Sequence, residues 1–169
     1  MIQPILLHGD GVLHRPAVNV DGITPKIEAL IDDMVETMYA AQGVGLAAPQ
    51  VGVPLRIFVA DPSVGRDPAE LIIMVNPEMV ACDGIQKKEE GCLSIPKFNA
   101  KVIRPARAVV RGLDRLGNAR DIEGSGLLAQ TFQHEMDHLD GKLFLDRLHG
   151  IEREMIVRRI NKLKRRNKW

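Results

Sequence analysis

The segment Ser125-Gly126-Leu127-Leu128-Ala129-Gln130-Thr131-Phe132-Gln133-His134-Glu135-Met136-Asp137-His138-Leu139-Asp140-Gly141 decides how this chain is read. Ser125 offers a helix N-cap, residues from 126 or 127 to about 139 support a helix, and Gly141 stands where a left-handed C-terminal residue is wanted. Before it, residues 55–60, 71–75, 102–103, 108–111 and 119–122 are short β-favouring runs separated by Gly, Pro, Asn and Asp. They are too closely spaced for alternating βαβ units, so antiparallel sheet is expected, with a hairpin turn at Leu116-Gly117-Asn118. Thr24-Pro25 supplies a cap and a proline at the first helical position. Ile27, Ile31, Met34 and Met38 then repeat at helical spacing, giving a helix over about 25–41 that ends near Gly43. A third helix is expected from 151 to about 166. The chain therefore reads as α+β, with mainly antiparallel sheets around a central metal-binding helix, an N-terminal helix and a basic C-terminal helix.

At 169 residues, 45% hydrophobic and 27% charged, the chain suits one globular domain. Its net charge of +1 hides an asymmetry. Residues 146–169 carry nine Lys or Arg against three Asp or Glu, whereas residues 1–145 carry 14 against 19. No linker divides them, so residues 1–148 are expected to form the catalytic domain and 149–169 a basic helical extension of it. Two cysteines, Cys82 and Cys92, do not make a disulfide scaffold and suit a reducing compartment. No run approaches the roughly 20 apolar residues that span a bilayer, and the first residues lack a signal-peptide pattern, so a cytoplasmic location without membrane contact is expected.

Within the segment quoted first, His134-Glu135-Met136-Asp137-His138 puts two imidazoles on one helical face, one turn apart. Both can reach one metal, and Glu135 beside them is placed to act on a metal-activated water rather than to ligate. With five histidines in the chain, this pair with its intervening Glu is a chance event on the order of 0.01. A catalytic metal usually has three protein ligands and an open position. Downstream, Asp140, Asp146, His149, Glu152 and Glu154 form no recognisable motif. Upstream, Cys92 in Glu90-Gly91-Cys92-Leu93-Ser94 could supply a thiolate, although a lone Cys is more often a small buried hydrophobe. The glycines of residues 43–52 form neither a Walker loop nor Gly-x-Gly-x-x-Gly, which disfavours nucleotide binding.

Gly43-Val44-Gly45-Leu46-Ala47-Ala48-Pro49-Gln50, then Glu90-Gly91-Cys92-Leu93-Ser94, then Gln133-His134-Glu135-Met136-Asp137-His138-Leu139 resemble, in this order, the three signature segments of the peptide deformylases. The resemblance covers about residues 5–147. It implies that Cys92, His134 and His138 hold one divalent ion, Fe(II) by preference, with Zn(II), Ni(II) or Co(II) able to take its place. It implies hydrolysis of the formyl group from N-formylmethionyl peptides, releasing formate. Glu135 would act as base and then acid, and the Gln50 amide and Leu93 N–H would meet the oxyanion. Val44, Gly45, Leu127 and Thr131 would contact the first residue of the substrate, and Glu90 and Gly91 would pair with its backbone. Gln130 and Asn99 depart from residues carried by some relatives.

The remaining features read more plainly. Lys87 to Glu90 resemble a solvated charged hairpin. His8, His14 and His149 are expected at the surface and Cys82 in a structural role. Ile156, Ile160 and Leu163 form the packed side of the last helix, whose cationic face reads either as solvated or, as the resemblance implies, as a contact for ribosomal RNA. A monomer is expected. Two rival functions share these residues: a metalloendopeptidase with a different third ligand, and a metal-free RNA-binding module built on the basic tail.

Overall fold

The computed structural model describes residues 1–169. Helix α1 (Pro25–Ala40) starts as its sequence dictates: the Thr24 hydroxyl accepts from the Ile27 N–H at 3.4 Å, and Pro25 fills the first turn. Ile27, Ile31, Met34 and Met38 are all buried. The helix is closed by Gln42 at φ 55, with the Gly43 N–H donating to the Met38 carbonyl at 2.9 Å. At Gly43 the backbone passes close to Leu93, so that a Cβ there would lie 2.8 Å from Leu93 Cδ1 and push that side chain aside.

Seven strands follow: β1 (Gly45–Ala47), β2 (Ile57–Ala60), β3 (Ile72–Asp83), β4 (Gln86–Cys92), β5 (Ile95–Arg104), β6 (Arg107–Leu113) and β7 (Ala119–Ser125). One antiparallel sheet has the order β1-β2-β3-β6-β7, and β4 with β5 forms a separate two-stranded hairpin. The β6–β7 turn falls at residues 114–118, with Gly117 at φ 82. Strand β7 runs through Ser125, so this residue is not a cap. Gly126, at φ 58 and ψ −122, makes the corner into α2 (Leu127–Leu139), which has no side-chain cap. The left-handed Gly141 after it is as expected, at φ 73.

The sheet lies between two helices. On β2, Ile57 and Val59 pack with α1, while Phe58 and Ala60 pack with Phe132, Met136 and Leu139 of α2. Such two-sided burial suits the apolar run of this strand. A third core joins the β4–β5 hairpin to the C-terminal helix α3 (Ile151–Arg165). Ile95, Ala100 and Val102 meet Phe144, Leu145 and Leu148, and these meet Ile156 and Ile160. Trp169 extends this core by packing on Phe98, ring centroids 6.2 Å apart. The last 21 residues are therefore seated on the body. No helix is long and apolar enough to cross a membrane.

Some sequence expectations give way here. Residues 87–90 lie in β4, one arm of the β4–β5 hairpin, with Lys87, Lys88 and Glu89 exposed as expected, but Glu90 is 5% exposed rather than solvated. His8 is half-buried, its ring edge-on to His14 at 5.3 Å, rather than a surface residue. Cys82 is exposed near the end of β3, where its thiol has no packing role. Phe58 of β2 and Phe132 of α2 join the sheet to the helix, centroids 6.0 Å apart and both fully buried. Phe132→Ala should cost about 3–5 kcal/mol, read as a lower urea midpoint with an unchanged m-value.

Candidate metal centre and substrate cleft

Helix α2 is buried on every side from Ala129 to Leu139, yet seven of those side chains are polar or charged. Polar groups removed from water must find partners, and these partners build the site. His134 and His138 face inward one turn apart, with their Nε2 atoms 3.1 Å from each other. The Cys92 Sγ, at the end of β4, lies 3.3 Å from His138 Nε2. The three ligand atoms lie within 4.8 Å of one another.

A chain of charges holds this arrangement from behind. His134 Nδ1 bonds to Glu90 Oε1 at 2.6 Å, which fixes the ring with Nε2 facing the other ligand atoms. Arg104 forks onto the Glu90 carboxylate at 2.8 and 2.6 Å and reaches Asp137 Oδ2 at 3.0 Å. Arg147 forks onto Asp137 from the other side at 3.0 and 2.5 Å. Burial pushes the Glu90 carboxyl up, but the hydrogen bonds from Arg104 and His134 outweigh it and hold Glu90 down at about 2. His134 is likewise raised well above its ordinary value by Cys92 and Glu90 despite its burial, and His138 is lowered by burial and by His134.

Glu135 has the opposite surroundings. Its Oε2 is buried and accepts no hydrogen bond, and burial pushes its carboxyl up to about 7. It rests against the backbone of Gly45, where a Cβ would overlap the carboxylate. Gln50 sits on the facing wall. Its Oε1 accepts from the Ala47 N–H at 2.9 Å, which fixes the amide so that Nε2 points to Ser94 Oγ at 3.2 Å and to Cys92 Sγ at 3.7 Å.

One cavity of about 390 Å³ collects these groups. Val44, Gly45, Gln50, Glu90, Gly91, Cys92, Leu93, Leu127, Thr131, His134 and Glu135 all line it, and His138 stands behind them. Thr131 turns its hydroxyl back to the Leu127 carbonyl at 2.8 Å and its methyl toward Gly45. Leu127, 45% exposed, stands at the rim. Gln42, Gly43, Glu89, Asn99 and Gln130 complete the lining.

A family model described as polypeptide deformylase matches residues 2–154. The chain belongs to the polypeptide deformylase family. The reaction of that family is hydrolytic removal of the formyl group from N-terminal formylmethionine. A peptide deformylase of Acidobacterium capsulatum is 44% identical over 169 residues, covering 100% of this chain and 99% of that protein. One from Halothermothrix orenii is 51% identical over 148 residues, 88% and 94% of the two chains. The crystal structure of a peptide deformylase from Legionella pneumophila superposes with a TM-score of 0.92 at 44% identity, covering 99% and 98%. That of Synechococcus elongatus in complex with actinonin gives 0.89 at 36%, covering 95% and 90%.

The Glu90 side chain, Arg104, Asp137 and Arg147 form the support that sequence reasoning missed. Asp137 lies inside the His134–His138 motif and was within reach of it; Arg104 at the end of a β run carried no local signal. The Val44 wall has a brace of its own. Asp61 donates its N–H to the Val44 carbonyl at 2.9 Å, and its carboxylate accepts from Tyr39 at 2.7 Å, from the Ser63 N–H and hydroxyl at 2.7 Å each, and from the Gly65 N–H at 2.9 Å. Burial works against its charge, but these bonds prevail and hold Asp61 below the usual carboxylate range, while burial and Asp61 push Tyr39 up to about 12. A lowered carboxyl stabilises the fold fully at neutral pH and loses that contribution as pH falls through its folded value. Asp61→Asn should cost about 1–3 kcal/mol at pH 7. In urea unfolding, the gap to the unsubstituted protein should narrow as pH drops below about 4.

Proposed function

We propose that Cys92, His134 and His138 hold one divalent ion and that Glu135 moves the proton during hydrolysis of a formyl-peptide bond. The donor cluster in the wall of a cavity, with the unpartnered Glu135 carboxylate beside it, is the observation that carries this reading. The residues fit the ion. One soft thiolate and two neutral imidazoles suit Fe(II), Zn(II), Ni(II) or Co(II), and we take Fe(II) as the physiological ion. His134 Nε2 and Cys92 Sγ lie 3.1 and 3.3 Å from His138 Nε2, and all three ligand atoms lie within 4.8 Å of one another, so one ion could be held by all three. When bound, such an ion supplies Lewis acidity that acidifies water and polarises a carbonyl.

The remaining work falls to side chains and backbone. Glu135, raised toward neutrality, takes a proton from the attacking water and returns it to the departing amine. The Gln50 amide, aimed by its bond from Ala47, donates to the developing oxyanion together with the Leu93 N–H. Gly45 gives the substrate room beside Glu135. Leu127, Thr131 and Val44 bound the place of the methionine side chain, and the backbone at Glu90 and Gly91 pairs with the peptide.

The experiment is formate release from a formyl-Met peptide, read with metal content after anaerobic purification. Glu135→Ala should keep its metal and lose about 10²–10⁴ in rate; full turnover would overturn the role given to Glu135. Cys92→Ser should lose the metal or bind it far more weakly, whereas a peptidase that ligates elsewhere would keep it.

We further propose a cytoplasmic monomer whose residues 1–148 carry the reaction and whose residues 149–169 contact the ribosome. Because Ile156 and Ile160 belong to a core, truncation would confound the question. Arg158, Arg159 and Lys162 are exposed. Changing all three to Gln should leave hydrolysis of a short peptide intact and weaken ribosome co-sedimentation, which should itself fall steeply with salt. Unchanged co-sedimentation would refute the contact.

A further inference from the structure

Gln130 lies four residues before His134 on α2, about 6 Å along the helix axis. It is 8% exposed and lines the same cavity as Gly45, Cys92 and Glu135. Its orientation is fixed by chemistry. The amide nitrogen lies 3.1 Å from the Glu89 carbonyl and 3.3 Å from Glu90 Oε2, and both of these groups only accept. The NH₂ end must face them, so both of its protons are engaged and Oε1 points away. No protein group donates to Oε1, and it is not among the polar atoms sealed from solvent without a partner. Oε1 is therefore an acceptor without a protein donor, on a residue that lines the cavity wall. Beside it on the helix, Thr131 spends its hydroxyl on the Leu127 carbonyl and Leu127 is apolar.

We infer that Gln130 is a specificity-determining residue: it places a hydrogen-bond acceptor where the first side chain of the substrate ends. The inference rests on the formyl-peptide reading. With the formyl carbon beside Glu135, the end of a methionine-length side chain reaches roughly 6 Å, the distance from His134 back to Gln130. A thioether arriving there strips water from Oε1 and offers no donor in return. A glutamine side chain has the same length and ends in N–H groups that satisfy the acceptor. Such a pocket separates formyl-Met from formyl-Gln less sharply than an apolar wall would, because discrimination depends on which partner is left unpaired.

The test is the ratio of kcat/KM for formyl-Met-Ala-Ser to that for formyl-Gln-Ala-Ser, in the unsubstituted protein, Gln130→Leu and Gln130→Met. A ratio taken within each variant cancels any general loss caused by the missing bond to Glu90. The ratio should rise at least tenfold in both variants, with a formyl-norleucine peptide tracking formyl-Met. A second comparison uses the unsubstituted protein alone: replacing the glutamine of the substrate by its donor-free analogue, glutamate γ-methyl ester, should lower kcat/KM at least fivefold. Formate release with ratios unchanged within twofold and no loss on the ester would overturn the inference alone. Absence of formate from every peptide would overturn the formyl-peptide reading and this inference with it.

Discussion

The guanidinium of Arg104, at 3% exposure, holds three elements to one another: its own strand β5, β4 through Glu90, and α2 through Asp137. Burying an ion costs several kcal/mol even after relaxation, and attraction in the interior offsets this only when geometry is good and every lone pair is used. Here the geometry is a fork on Glu90 and a single bond to Asp137, whose remaining capacity is taken by Arg147. Buried Arg104 and the more exposed Arg147 thus balance two buried anions, and His134 joins the series through Glu90. Without Arg104, two buried carboxylates would face each other across β4 and α2, and nothing would orient the ring of His134.

The same hairpin sets the position of the sulfur. Glu90 is anchored two residues before Cys92, and the register changes between Gly91 and Cys92, so the strand leaves its ladder where the thiol is presented. Ser94, in the turn that follows, is held from both sides. Its carbonyl accepts from the His8 N–H at 2.8 Å and its hydroxyl from Gln50 at 3.2 Å. The His8 carbonyl in turn accepts from the Trp169 indole at 3.1 Å. Residues near both chain ends therefore fix the turn that carries Cys92, Leu93 and Ser94.

The elements that could be read in advance are those whose signals are local. Thr24-Pro25 with the apolar spacing of α1, the 114–118 turn, and the two histidines four residues apart each declare themselves within a few positions. Strand β1 did not, because three residues containing a glycine show no alternation. Strand β4 did not, because Lys87, Lys88, Glu89 and Glu90 read as solvent-facing until Arg104, 14 residues away, claims the last of them. Ser125 was read as a cap from its residue type, whereas cross-strand pairing carries β7 through it to a glycine corner. The grouping of Cys92 with a helix more than forty residues later was legible only through the resemblance, since spacing along the chain says nothing of it.

The division of labour among the buried carboxylates follows from their partners. Glu90 and Asp137 face arginines, and Glu90 is held at about 2, an anion at neutral pH. Glu135, between His134 and Met136 on the same helix, turns to the cavity where the glycine backbone of β1 leaves space but offers no donor, and its carboxyl rises to about 7. A group ionised throughout cannot exchange a proton near neutrality, and one near neutral pH is poised to give and take it. An arginine beside Glu135 would stabilise the fold more and abolish that capacity. The unmatched carboxylate is thus a local cost that the saturated network around it offsets, the pattern that supports the role proposed for Glu135.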